Sequence, residues 1–82
     1  AYAAAAFEAL PFDAITVAPY MGHDSVGPFL NYPGKWVFLL ALTSNPGADD
    51  FQLLEAGGRP LFEHVIERAL RWPRRGQLGF VA

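Results

Sequence analysis

The sequence has no cysteine, one lysine, one methionine and two histidines in 82 residues. Without cysteine there is no disulfide scaffold and no cysteine-based zinc site, and the composition fits a reducing, cytoplasmic setting. Charge is scarce as well. Asp, Glu, Lys and Arg make up 17% of the residues and leave a net charge of −2. A disordered tail needs more charge and fewer apolar groups than this. With no basic excess there is no electrostatic footprint for nucleic acid. Long apolar runs are missing too. The longest, Trp36 to Leu42, is seven residues, far below the roughly 20 a bilayer-spanning helix needs. Ala1 to Leu10 has no basic stretch of the kind that opens a secretory signal.

Apolar residues are plentiful, at 52%, and 15% of the chain is aromatic. A domain this small exposes much of its surface, so many of these side chains are expected to face something outside the chain. The first residue is Ala1 and the one methionine is Met21, so the expectation is a piece of a longer protein.

The pattern reads as alternating helices and strands. Tyr2, Phe7 and Leu10 share a helical spacing that Pro11 stops. Asp13 to Ala18 reads as a strand. Asp24 or Ser25 is placed to cap a short helix ending near Leu30, and Asn31-Tyr32-Pro33-Gly34 reads as a turn. Trp36 to Leu42 is apolar at every position, as in a parallel strand covered on both faces. A helix is expected after Pro46, running to about Ala56 and broken by Gly57-Gly58. Pro60 is placed to start another helix. In it Leu61, Phe62, Val65, Ile66, Ala69 and Leu70 form an apolar stripe opposite Glu63, His64, Glu67, Arg68 and Arg71. Gln77 to Val81 reads as a third strand. This α-β-α-β-α-α-β order predicts about three parallel strands joined by right-handed crossovers. A slice of an α/β barrel or of a doubly wound sheet is the implied class.

In both architectures function collects at the C-terminal ends of the strands. That selects the loop from Ala18 to Ser25 and the loop Thr43-Ser44-Asn45-Pro46-Gly47-Ala48. The second has three adjacent polar side chains after an apolar strand, and a serine hydroxyl both donates and accepts. The competing reading is structural, with Ser44 or Asn45 capping the next helix and Pro46 in its first position. Asp49 and Asp50 would repel a phosphate there, so a neutral amide or ring edge suits the loop better. His23 has no carboxylate fixed near it by spacing. His64 falls on a polar helix face and is expected to be solvated. Lys35 and the cluster Arg71, Arg74 and Arg75 precede strands, at the end of a barrel associated with stability rather than chemistry.

The run Thr43 to Ala48, together with Asp13 to Gly22 and the segment from Gly58 to Trp72, resembles orotidine 5′-phosphate decarboxylase, closest to the longer bacterial branch of that family. The resemblance covers essentially the whole chain. It implies a partial (β/α)8 TIM barrel, with residues 1–82 as the central part of one barrel domain. It also implies a homodimeric, cytoplasmic enzyme converting orotidine 5′-monophosphate to UMP and CO2 in pyrimidine biosynthesis, with no cofactor and no metal. Ser44 matches the serine that hydrogen-bonds the pyrimidine ring, and Thr43 and Asn45 are its neighbours in substrate binding. No catalytic residue falls within the chain. The alternating Lys and Asp array is expected upstream of Ala1, and the phosphate-binding loop beyond Ala82. Two alternatives stand beside this reading: a piece of another phosphate-sugar barrel such as an aldolase or epimerase, and a non-catalytic binding or dimerisation module.

Overall fold

A computed structural model describes residue 8 and residues 13–82. Apart from residue 8, the helix expected over residues 1–10 lies outside the described residues. Strand β1 (Ala14–Val17) leads to helix α1 (His23–Leu30) and strand β2 (Trp36–Leu40). A one-turn helix α2 (Ala48–Phe51), a short hairpin of β3 (Glu55–Ala56) and β4 (Arg59–Pro60), helix α3 (Leu61–Ala69) and strand β5 (Gln77–Val81) follow.

The three long strands form one parallel sheet in the order β1-β2-β5, so the predicted parallel sheet is present. Register decides which side chains share a face. Ile15 aligns with Val37 and Leu78, and Val17 with Leu39 and Phe80. This face packs on the helices. Val37 and Leu39 are fully buried with Val26 and Leu30 of α1 and Ala69 of α3, and Trp72 closes the layer. The opposite face carries Thr16, Phe38 and Gly79 in one row. Phe38 stacks on Trp36 at 5.4 Å between ring centres and lies across Gly79. Trp36 remains 42% exposed, so among the described residues this face is only partly covered. In a closed barrel it is the interior.

The helix starts differ from expectation. Neither Asp24 nor Ser25 caps α1. Gly22, at φ +90, takes the cap position with no side-chain bond, and its carbonyl accepts from Ser25 and Val26 N–H at 3.2 Å. The segment after Pro46 does not remain helical to Ala56. One turn forms, and the chain then folds into the β3–β4 hairpin, with Gly57 and Gly58 as its two central residues at φ +60 and +80. Two positive φ values in a two-residue loop are what a type I′ hairpin turn requires, and glycine supplies them at least cost. The glycine pair is therefore a turn rather than a helix break. Pro60 sits just before α3, in extended conformation. The first free N–H groups of α3 are taken by backbone: Leu61 N–H donates to Leu54 C=O at 2.7 Å, and Phe62 N–H to Gln52 C=O at 3.0 Å. These contacts satisfy donors that side-chain caps supply in other helices.

Candidate functional site

The C-terminal ends of β1 and β2 lie side by side and open into a cleft of about 260 Å³. Ala18, Pro19 and Tyr20 line it from the first loop, Leu40 from the end of β2, Thr43 from the second loop, Phe51 and Gln52 from the end of α2, and Leu61, Phe62 and Val65 from α3; Ser44 and Asn45 are not among its lining residues. Its wall is almost wholly apolar, with the polar groups gathered at Thr43 and Gln52. The two loops that sequence reasoning selected are thus neighbours.

The polar loop begins where the sheet runs out of partners. Leu42 N–H still donates to Val81 C=O at 2.9 Å. The next donor, Thr43 N–H, goes instead to Gln52 Oε1 at 2.7 Å. The same amide returns a bond: Gln52 Nε2 donates to Thr43 Oγ1 at 3.1 Å. Thr43 Oγ1–H in turn donates to Asn45 Oδ1 in a short contact. The result is a relay in which each group fixes the next. The main-chain bond requires the Gln52 oxygen to face Thr43 N–H, which sets the amide orientation and hence the donor offered to the hydroxyl.

Ser44 stands between these two tied residues. It is exposed, and among the described residues its hydroxyl has no hydrogen-bond partner. The capping alternative does not hold. Gly47 occupies the cap position of α2 with no side-chain bond, and Pro46 lies before it rather than in the first helical position. Thr43 and Asn45 are hydrogen-bonded within this loop, and Thr43 also to Gln52, whereas the Ser44 hydroxyl is not. Asp49 and Asp50 are exposed in the first turn of α2, the arrangement that disfavours an anion at this point.

Gln52 is the residue that sequence reasoning missed. It falls inside the stretch expected to be regular helix, where a side chain nine residues from Thr43 has no reason to return to it.

The other candidates lie elsewhere. His23 is the first residue of α1, with its ring 5.3 Å from that of Trp72 and against Gly27. Lys35 pairs with Asp13 at 3.2 Å at the opposite end of the sheet. Arg71 reaches Glu67 at 3.4 Å, and Arg74 bonds the carbonyls of Leu70 and Trp72. His64 is not a freely solvated surface residue, contrary to expectation. It is half-buried, and its Nε2 meets Ala56 C=O in the hairpin. Donation from Nε2 leaves Nδ1 as acceptor for Arg59 Nη2 at 3.4 Å. Arg59 also binds Glu67 at 2.9 Å. The hydrogen bond from Arg59, then its charge, holds the Glu67 carboxyl below the usual glutamate range. This cluster pins the hairpin to α3. Among the described residues no group of three or more His, Asp or Glu is placed to hold a metal ion, and no helix is long and apolar enough to cross a membrane.

No family model matches the chain. Individual relatives do. The chain is 57% identical over 81 residues to orotidine 5′-phosphate decarboxylase of Bacteroides fragilis, and 53% identical over 81 residues to that of Cupriavidus metallidurans. Each match takes in 98% of the chain and 30% of the relative, so the chain spans about a third of the length of the curated proteins it matches. Among solved structures, Leishmania donovani OMP decarboxylase superposes with a TM-score of 0.91 at 50% identity, over 99% of this chain and 33% of that one. Leishmania donovani UMP synthase gives 0.90 at 50% identity, over 99% of this chain and 18% of that one. The three parallel strands and their helices are a part of a TIM barrel. In both sequence and backbone the chain is therefore similar to one segment of orotidine 5′-phosphate decarboxylase.

Proposed function

We propose that this chain is the central part, residues 1–82, of a single barrel domain that converts orotidine 5′-monophosphate to UMP and CO2, and that Ser44 supplies a hydrogen bond to the pyrimidine ring. The observation that carries the reading is the exposed, uncommitted hydroxyl of Ser44 at the C-terminal end of β2, between two residues already tied down. A hydroxyl can donate to a ring carbonyl or accept from a ring N–H. Thr43 and Asn45 shape the loop around it. Lys and Asp residues preceding the segment perform the chemistry in this reading.

The same reading includes a cytoplasmic homodimer. Tyr20 and Met21 are 83% and 73% exposed, and Phe51 is 61% exposed with its ring 6.3 Å from that of Tyr20. An apolar rim beside the cleft supports burial against a second subunit.

The test is a chimaera in which this chain replaces the matching 81 residues of the Bacteroides fragilis relative. It should fold and decarboxylate orotidine 5′-monophosphate. Ser44→Ala in the chimaera should lower kcat/KM and leave the fold intact. A neutral hydrogen bond is worth about 0.5–1.5 kcal/mol, or more when its loss strands a buried partner. A folded chimaera without decarboxylase activity would refute the proposed function, and unchanged kinetics for Ser44→Ala would remove Ser44 from the site.

A further inference from the structure

We infer that Gln52 is a positioning residue for the proposed pyrimidine site, clasping the Thr43–Asn45 loop so that Ser44 is presented in one orientation. The inference rests on the functional reading above for its consequence, and on geometry alone for the clasp.

Three observations carry it. Gln52 makes two bonds to one residue, main chain and side chain, at 2.7 and 3.1 Å. A paired contact fixes both the position and the rotation of Thr43, which a single bond does not. Gln52 is itself held from behind: its N–H donates to Ala48 C=O at 3.0 Å and its C=O accepts from Phe62 N–H at 3.0 Å. The loop is thereby referred to the start of α3 rather than to a free turn. Finally, the Thr43 hydroxyl passes the constraint to Asn45, on the far side of Ser44. Both neighbours of Ser44 in sequence are held through one amide group. A side chain pre-organised in this way avoids the ordering cost that a loose loop incurs on binding.

The clasp can be broken with little change of volume. Gln52→Met keeps the length of the side chain and loses the amide. Gln52→Glu keeps an acceptor for Thr43 N–H. Both are made in the chimaera, alone and with Ser44→Ala. Amide hydrogen exchange over residues 43–52 reads the clasp, and steady-state decarboxylation reads its consequence. Gln52→Met should speed exchange at Thr43 and lower kcat/KM about tenfold, the loss of two neutral hydrogen bonds. Gln52→Glu should recover exchange protection at Thr43 and part of the activity. Because Gln52 acts through Ser44, Gln52→Met should cost much less in the Ser44→Ala background, and the two effects should not add. Unchanged exchange in Gln52→Met would overturn the clasp. Faster exchange with unchanged kcat/KM, or fully additive losses, would overturn the positioning role. An inactive but folded parent chimaera would refute the functional reading and with it the positioning role, while exchange would still report on the clasp.

Discussion

Gly76 offers a sharp test of how the sheet is joined to its helices. It precedes β5, and its N–H donates to Leu30 C=O at 3.0 Å alongside that of Arg75 at 2.8 Å. A Cβ at this position would lie 2.6 Å from Tyr32 O and 2.8 Å from Lys35 O, where ordinary contact begins at 3.4 Å. Neither oxygen can yield freely. Tyr32 C=O accepts from Lys35 N–H at 3.2 Å, and Lys35 C=O accepts from Gln77 N–H at 2.8 Å, where β5 begins. Relief would have to move one of these carbonyls and strain its bond. Overpacking of this kind costs about 1–3 kcal/mol, and a weakened backbone bond adds to it, for a total of about 2–4 kcal/mol. At about 2–4 °C per kcal/mol for a domain of barrel size, Gly76→Ala should lower the thermal midpoint of the chimaera by about 4–16 °C. Gly34→Ala is the comparison. Gly34 has φ +80 but nothing within 4 Å of its Cβ position, so only the left-handed backbone penalty applies, about 1–2 kcal/mol. The assay is thermal unfolding followed by circular dichroism. A midpoint for Gly76→Ala within about 1 °C of the parent, or a smaller loss than for Gly34→Ala, would refute the packing argument.

Two further outcomes follow from the hairpin. Arg59 holds the Glu67 carboxyl below its ordinary range, so this pair stabilises the fold above the unfolded-state carboxylate range, and the contribution is lost as pH falls through the lower folded value. Glu67→Gln should therefore be less stable than the parent at pH 7, and the difference should close below about pH 4 in urea titrations; a difference independent of pH would exclude the ion pair as its source. Gly57→Asn should cost less than Gly57→Val in thermal midpoint, because asparagine tolerates positive φ and β-branched residues do not. Equal losses would mean that the backbone conformation at Gly57 is not what limits the turn.

The sequence showed the strands clearly and the segment between β2 and α3 poorly, for physical reasons. Trp36 to Leu42 is apolar throughout, which marked a strand covered on two faces. The helix-side face is covered as that reading requires, while among the described residues the Trp36, Phe38 and Leu40 face is only partly covered. The polar loop was legible because Thr43, Ser44 and Asn45 interrupt an apolar run at the functional end of a strand. The stretch Ala48 to Ala56 misled because its composition suits a helix. Backbone bonds to Leu61 and Phe62 compete for its carbonyls, and two glycines at positive φ turn it back. That reversal is non-local, and so is the return of Gln52 to Thr43. His64 looked solvated because its helix position is polar, and only the hairpin folding over it supplies Ala56 C=O as a partner.

Phe38 lying across Gly79 has an evolutionary consequence. The inner-face volume at this level comes from β2 and is absent from β5, since a Cβ on residue 79 would lie 2.6 Å from two ring carbons of Phe38. Positions 38 and 79 therefore behave as one variable. A larger residue at 79 requires a smaller one at 38, and either change alone leaves a clash or a void. Lineages that diverge here are expected to change both positions together, through intermediates that fold less well than either end point.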